Sequence, residues 1–309
     1  MVGSTSRKSH PRHGCTDFVS VQERPQSGWE CHGVTPGKAL QVFGMRRSGN
    51  HAIIDWMMRN APGETGLFFN NCKMGKDPVE SFASMDTYPA TTAPPDKTDK
   101  RARWDAPDLS PSLVVVSYED ALPPAPGKSD WASRGYRRGD FDAKIFIYRS
   151  FLNWTASLLR KIQRNPGYGS LARMRIMGRA LDMYSGALDL IGTDGLTDIN
   201  YDNWMESEDY RSDVLAGLGL PCRDNTHGKV QRFGGGSSFQ RKAAEPGVLQ
   251  TATRAAQMAA DPEYQLLLWT ASQDEAFMDR LERPFPKDAE ALRALSASAQ
   301  IDIRLEGPK

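Results

Sequence analysis

Long hydrophobic runs and a secretory leader are both missing from this chain. No stretch of about 18 uninterrupted apolar residues, the length a membrane-spanning helix needs, occurs in the sequence. The N-terminal region also lacks the apolar segment of a signal peptide. We therefore expect a soluble protein without a transmembrane segment.

Cysteine is scarce as well. The chain has four cysteines: Cys15, Cys31, Cys72 and Cys222. They are widely spread and form no CxxC pair, so they predict neither a disulfide scaffold nor a zinc site. Histidines near Cys15 and Cys31 add no tight metal-ligand spacing. The expectation is a cytoplasmic protein with no metal site.

An excess of charge of either sign is also absent. The 39 basic and 38 acidic side chains leave a formal net charge of +1, which argues against a chain-wide nucleic-acid surface and leaves a local basic pocket open. Hydrophobic residues make up 39% and charged residues 25% of the chain, as in ordinary globular domains. We expect a globular protein that does not bind nucleic acid.

Patterning divides the 309 residues into three parts. Residues 1–37 show neither a strand nor a helix period and predict a flexible tail. Residues 38–285 predict an α/β domain, and residues 286–309 a C-terminal helix with a loose end. Within the middle part, residues 78–111 are rich in Pro, Asp, Thr and Lys, which predicts a long surface excursion.

Short apolar runs alternate with helix-like stretches in the middle part. Residues 112–118 and 144–148 are rich in β-branched and aromatic side chains and do not alternate between apolar and polar, which is typical of strands covered on both faces. Further strands are predicted at 39–43, 66–69 and 197–201, and helices at 52–59, 152–163, 171–191, 210–218 and 251–260. The alternation predicts a three-layer, P-loop-like α/β fold with a mostly parallel central sheet flanked by helices.

A glycine-bearing loop joins the first predicted strand to the first predicted helix. Residues 44–51, GMRRSGNH, keep the outer glycines of G-x-x-x-x-G, whose backbone amides bind phosphate or sulfate. Magnesium-dependent nucleotide hydrolysis requires Lys and Ser/Thr after the second glycine, but Asn50 and His51 stand there. This favours an anionic ligand that reacts without a metal, such as a phosphosulfate donor, with Arg46 or Arg47 supplying the cation.

A second strand-to-helix junction carries another pair of anion ligands. Arg149 follows the strand predicted at 144–148, and Ser157 lies eight residues further, inside the first turns of the next helix. Because the chain turns back between them, both side chains can reach one anion.

The two junctions together resemble the sulfotransferases that use 3′-phosphoadenosine 5′-phosphosulfate (PAPS). Residues 47–51 are similar to the phosphosulfate loop of that family, with arginine where lysine is usual, and residues 149–157 to the segment that binds the 3′-phosphate. The resemblance implies a PAPS-dependent enzyme in which Arg47 neutralises the leaving 5′-phosphate. The donor ligands that it implies are Arg46, Arg47, Ser48, Gly49, Asn50, His51, Arg149 and Ser157.

Two weaker segments extend the resemblance. Residues 198–204 are similar to a strand end of the family, which implies that Tyr201 lies against the adenine. Gly235, Gly236 and Ser237 are similar in position and composition to a late loop that closes over the 3′-phosphate, where Arg232 or Arg241 adds charge.

Sulfuryl transfer also needs a base that faces the donor across the cleft. Many family members place a histidine after a middle strand, whereas the strand at 112–118 ends in Glu119 and Asp120. By analogy with carboxylate-using sulfotransferases, Glu119 is the first candidate for the general base and Asp120 the second. His51 competes with them because it titrates near neutrality, although it can instead cap the helix or contact the phosphate.

The favoured function is sulfuryl transfer from PAPS to a hydroxyl or amine of a small-molecule, glycan or lipid acceptor. Asn70, Asn71 and Lys73 follow the second apolar run and are expected to line the acceptor pocket. Two alternatives stay open: a magnesium-nucleotide phosphotransferase and a non-catalytic nucleotide-binding module. The sequence leaves the acceptor and the oligomeric state open.

Overall fold

The computed structural model describes residues 27–89, 109–124, 132–228 and 252–298. Its strands are β1 (Ala39–Gly44), β2 (Gly66–Asn70), β3 (Ser84–Tyr88), β4 (Leu113–Glu119), β5 (Ala143–Tyr148) and β6 (Thr197–Asn200). Its helices are α1 (Asn50–Arg59), α2 (Pro78–Ser81), α3 (Phe151–Gln163), α4 (Ser170–Leu188), α5 (Tyr201–Glu206), α6 (Glu208–Gly217), α7 (Arg254–Met258), α8 (Pro262–Ser272), α9 (Glu275–Glu282) and α10 (Pro286–Ser298).

The six strands form one sheet in the order β3-β2-β4-β1-β5-β6. All neighbours pair in parallel except β2 and β3, which are antiparallel. Helices cover both faces of the sheet, so the predicted three-layer α/β fold with a mostly parallel sheet is confirmed.

The central strands are apolar on both faces because both faces are buried. In β1, Leu40 and Val42 pack in a core with α1, α5 and α6, whereas Ala39 and Phe43 pack in the core formed by α3, α4 and α8 to α10. Burying apolar surface at roughly 25 cal/mol per Å² stabilises such strands, which explains why their sequences do not alternate.

The strand order creates a crevice at one end of the sheet. The chain leaves β1 toward β2 on one side of the sheet and leaves β5 toward β6 on the other. Gly44 pairs with Ile147, so these two neighbouring strands end at the same edge. In open α/β sheets ligands bind at such a reversal point, outside the carboxyl ends of the strands.

Two segments predicted to be irregular contain ordered structure. Part of the predicted tail is ordered, because Trp29 is 1% exposed and donates a hydrogen bond of 2.8 Å from its indole nitrogen to the Asp140 carbonyl oxygen. Residues 27–37 thus carry ordered structure that packs on the domain, and residues 1–26 lie outside the described residues, so the division at residue 37 stays a prediction. The predicted surface excursion begins with α2 and β3, and the side chain of Phe82 between them is buried.

The end of the described chain and the cysteines complete the fold. The helix expected in residues 286–309 spans Pro286–Ser298 and packs on α8 and α9. Cys31 is disulfide-bonded, although the cysteine spacing predicts no disulfide scaffold, whereas Cys72 and Cys222 form no disulfide. Across the described ranges, no helix is both long enough and apolar enough to cross a membrane.

Candidate anion site and adjoining pocket

The loop between β1 and α1 has a backbone that requires glycine. Gly49 precedes the helix with φ 94°, and Arg47 has φ 74°, both in the left-handed region. A Cβ on Gly49 would lie 2.0 Å from a ring carbon of Tyr201. The loop therefore rests directly on the Tyr201 ring, with no room for a side chain at Gly49.

Two buried polar side chains shape the interior of this loop. Asn50 donates a hydrogen bond of 3.3 Å from Nδ2 to the Met45 carbonyl oxygen, which ties the start of α1 to the start of the loop. Ser48 is fully buried, and its Oγ has no hydrogen-bond partner among the described residues. A buried hydroxyl of this kind costs free energy unless a ligand or water satisfies it.

The junction between β5 and α3 lies beside this loop. The Arg149 side chain is 1% exposed, its guanidinium lies 4.9 Å from the centroid of the Tyr201 ring, and its Nε pairs with Asp202 at 3.3 Å. The Tyr184 hydroxyl donates a hydrogen bond of 2.6 Å to the Arg149 carbonyl oxygen. Main chain and side chain of Arg149 are thus held separately.

The two junctions converge on Ser157. Arg47 donates a hydrogen bond of 3.3 Å from Nε to Ser157 Oγ, and Arg254 donates one of 3.0 Å from Nη1 to the same oxygen. Sequence reasoning missed Arg254, because it lies in an alanine-rich stretch far along the chain without any motif. The structure brings it to the site on α7, which packs against α3.

Like charges crowd this site. Burial, and next the charge of Arg149, lower the pKa of Arg254 to about 9, and the same two causes lower the pKa of Arg47. Both shifts mean that the protein holds these guanidinium groups in an arrangement that disfavours their charge. An anion bound among them would relieve that cost, so the arrangement fits a ligand with more than one negative charge.

Two predicted donor ligands have other contacts. The Arg46 guanidinium is half-exposed and pairs with Asp120, while the Arg46 carbonyl oxygen accepts a hydrogen bond of 3.0 Å from the Trp154 indole. The Tyr201 ring is 5% exposed and packs against Gly49. Gly235, Gly236 and Ser237, together with Arg232 and Arg241, lie outside the described residues.

A pocket opens on the α1 side of the loop. It is lined by Val42, Asn50, His51, Ile54, Asn70, Ser117, Tyr118 and Glu119. Both main candidates for the base, Glu119 and His51, therefore face one cavity. His51 Nε2 lies 3.2 Å from Asn70 Oδ1, and Asn70 in turn donates a hydrogen bond of 3.0 Å to Ser84 Oγ.

The pKa values of the two candidates move in opposite directions. Burial and the neighbouring Asp120 raise the pKa of Glu119, although Arg46 and Arg47 act against the shift. Burial lowers the pKa of His51, with Arg47 adding to the shift and the hydrogen bond to Asn70 opposing it. The pocket thus holds a carboxylate with increased basicity beside an imidazole that favours its neutral form.

Of the residues expected to line the acceptor pocket, Asn70 lines this cavity, whereas Asn71 and Lys73 do not. Asn71 and Lys73 are exposed, and Asn71 adopts φ 51° where the chain leaves β2. Within the described ranges, no group of three or more His, Cys, Asp and Glu side chains is arranged to hold a metal ion.

Comparisons with known proteins add a similarity of fold. No protein-family model matches the chain, and no curated protein matches it. Among solved structures, it is similar to the crystal structure of mouse sulfotransferase SULT7A1 complexed with PAP, at 11% identity. The match covers 85% of this chain and 89% of that chain with a TM-score of 0.46.

Proposed function

We propose that this protein is a PAPS-dependent sulfotransferase that transfers a sulfuryl group to a hydroxyl or amine. The observation that carries the proposal is the convergence of Arg47 and Arg254 on Ser157 Oγ, next to Arg149 and a glycine-requiring loop. PAPS carries a 3′-phosphate and a 5′-phosphosulfate, and the site offers cations at two strand-to-helix junctions.

Arg149, Ser157 and Arg254 form the proposed 3′-phosphate site. Arg47, Ser48, Gly49 and Asn50 form the proposed 5′-phosphosulfate site at the beginning of α1, where backbone amides and the positive end of the helix favour an anion. The buried Ser48 Oγ, which has no partner among the described residues, supports this assignment. The donor supplies the activated sulfuryl group, and Arg47 stabilises the charge on the departing phosphate.

The roles of two other expected donor residues, Tyr201 and Arg46, become more specific. Tyr201 is 5% exposed and its ring packs against Gly49. Its proposed role is therefore to support the phosphate loop, and not to stack on the adenine. Arg46 acts through Asp120, whose Oδ1 accepts a hydrogen bond of 2.9 Å from the Arg46 amide and so fixes the loop. Gly235, Gly236 and Ser237 stay predicted 3′-phosphate ligands.

Glu119 is the proposed general base. It takes the proton of the acceptor hydroxyl or amine as the acceptor oxygen or nitrogen forms its bond to sulfur and the bond from sulfur to the 5′-phosphate oxygen breaks. Burial raises the pKa of Glu119, which makes its carboxylate a better proton acceptor. His51, which lies within hydrogen-bond distance of Asn70, orients the acceptor beside it and is the competing candidate for the base.

The acceptor is proposed to be a small molecule, a glycan or a lipid that reaches Glu119 past Asn70, Asn71 and Lys73. No nucleic-acid partner and no metal requirement are part of the proposal. A cytoplasmic location is proposed as well.

The experiment that tests the function is a thermal-shift titration with adenosine 3′,5′-bisphosphate in EDTA, compared with ATP and Mg²⁺. A ligand at about 100 times its dissociation constant stabilises a protein by roughly 2.7 kcal/mol. We expect the bisphosphate to stabilise the wild-type protein without metal and to lose most of this effect in Arg149→Ala.

Arg175→Ala is the matched control, since Arg175 is an exposed arginine on α4 and its removal changes the net charge equally. Stabilisation by Mg-ATP without any by the bisphosphate would overturn the proposal in favour of a phosphotransferase. Bisphosphate binding with no turnover of any acceptor would leave a non-catalytic nucleotide-binding module.

A further inference from the structure

A carboxylate from the last described helix closes the turn that carries Arg149. Asp288, on α10, accepts a hydrogen bond of 2.8 Å from Ser150 Oγ and one of 3.2 Å from the Leu152 amide, both at its Oδ2. Ser150 stands at the N-terminal cap of α3 but makes no capping bond with its own side chain. Asp288 therefore supplies the cap that α3 lacks, from a position 138 residues further along the chain.

The position of Asp288 is fixed by the packing of its own helix. Ala289 and Leu292 on α10 are fully buried, and Asp288 itself is 9% exposed. Since α10 packs on α8 and α9, contacts other than those to Ser150 and Leu152 also hold the carboxylate in place.

The same turn is held from a second side. Asp202 accepts a hydrogen bond of 2.7 Å from the Ser150 amide through Oδ2 and pairs through Oδ1 with Arg149. Asp288 and Asp202 thus both bind Ser150, which lies between Arg149 and the first turn of α3. The helix α3 also carries Ser157. A displacement of Ser150 moves both proposed ligands of the 3′-phosphate.

We infer that Asp288 is a positioning residue for the donor site, which acts through Ser150 and the start of α3 on Arg149 and Ser157. This inference rests on the proposed function, because it assigns the residue to the same 3′-phosphate site. Asp288 touches neither the donor nor the acceptor in this assignment. It sets the affinity for the donor by holding the geometry of the residues that do.

The test measures the dissociation constant of adenosine 3′,5′-bisphosphate by calorimetry for four proteins. We expect Asp288→Ala to weaken binding by about tenfold, the size of a lost hydrogen bond to a buried group. Asp288→Asn keeps an oxygen that accepts from Ser150 and Leu152, so we expect it to restore binding to within about threefold of wild type. Glu290→Ala, which removes an exposed carboxylate from the same helix, should leave the constant unchanged.

Ser150→Ala removes one contact of Asp288 without touching α10 and serves if Asp288→Ala does not fold. We expect it to weaken binding by about threefold, and Asp288→Ala in that background to add less than it does in the wild type, since the two residues act on one turn. A purely structural role of Asp288 would lower the melting temperature and leave the dissociation constant of the folded protein unchanged.

Two results overturn the inference and leave the proposed function standing. One is wild-type affinity in folded Asp288→Ala while Arg149→Ala is weakened, and the other is a loss in Asp288→Asn as large as in Asp288→Ala. Failure of the wild-type protein to bind the bisphosphate at all would overturn the proposed function together with this inference.

Discussion

The two sides of the loop at residues 45–49 differ in the charged groups that they present. On the side of β5, Arg47, Arg149 and Arg254 crowd together, and burial, followed by the charge of Arg149, lowers the pKa of Arg47 and of Arg254. On the side of β4, Glu119 and His51 share a pocket. Burial there raises the pKa of Glu119 and lowers the pKa of His51, and both shifts favour the neutral form of the group.

The difference separates binding from proton transfer. A guanidinium retains its charge at neutral pH even with a pKa of about 9, so the first side is a fixed cationic site. Glu119 has a raised pKa and His51 a lowered one, and both face the same pocket, so the second side is suited to move a proton. Changes on the first side should alter ligand affinity, and changes on the second should alter rate and pH dependence.

Glu119→Gln should produce the largest effect. A positioned general base contributes about 10²-fold to 10⁴-fold to a rate, so we expect kcat to fall by at least about 100-fold. Because the change leaves all three arginines in place, the dissociation constant of adenosine 3′,5′-bisphosphate should stay within about twofold of wild type, as for a residue outside the anion site. Steady-state kinetics and calorimetry on the same preparation check both parts.

Asp120→Asn is the matched control for that variant, as it removes the adjacent carboxylate that pairs with Arg46. Retained turnover in Asp120→Asn with loss in Glu119→Gln supports the assignment of the base. Equal losses in both would transfer the role to the pair or to the loop that Asp120 fixes.

Arg254→Ala should produce the next largest effect, on the opposite side of the comparison. A charge-assisted hydrogen bond is worth about 1.5–3 kcal/mol, which corresponds to about 10-fold to 150-fold weaker binding of the bisphosphate. Arg254→Lys should recover part of this, because it keeps the charge and loses the planar group. Unchanged affinity in Arg254→Ala would place this arginine outside the donor site.

Arg254 also marks a limit of prediction from sequence. Arg47 and Ser157 could be predicted from the sequence, because each follows a strand at a short distance and the apolar run of that strand is visible in the sequence. Arg254 reaches Ser157 through the packing of α7 on α3, and such a long-range contact leaves no local periodicity. Asp288 was missed for the same reason.

The fold shows the same division. The strand, loop and helix from β1 to α1 were predicted because both faces of the strand are apolar and the helix has one buried face. The strand β3 was missed, since its sequence SMDTY is mostly polar and its pairing with β2 at the sheet edge supplies the order. Helices α8 and α9 were missed as well.

Gly49→Ala should destabilise the loop on which both sides depend. A left-handed residue other than glycine costs about 1–2 kcal/mol, and the added Cβ would displace the Tyr201 ring. We expect a loss of roughly 2 kcal/mol in the free energy of unfolding, measured by urea denaturation, together with weaker bisphosphate binding.

Gly178→Ala is the control for that change. Gly178 lies within α4 with no atom within 4 Å of the added Cβ, so the same substitution should stabilise the protein by about 0.8–1.0 kcal/mol. A neutral Gly49→Ala would contradict the close approach of the loop to Tyr201.

His51→Gln should produce the smallest effect and decides which group in the pocket titrates. A neutral hydrogen bond is worth about 1 kcal/mol, so we expect kcat/KM to fall by about fivefold at neutral pH. Turnover requires the Glu119 carboxylate, whose pKa is raised above its usual value of 4.5. Activity should therefore be complete above that raised pKa and decline as the pH falls through it.

This acid limb of the pH profile should persist in His51→Gln and vanish from the residual activity of Glu119→Gln. If His51 were the base, the limb would lie below the usual imidazole value of 6.5, because burial and Arg47 lower its pKa. It would then vanish in His51→Gln and persist in Glu119→Gln. A reversal of this kind would keep the division between the two sides of the loop and move the proton-transfer role from the end of β4 to the first turn of α1.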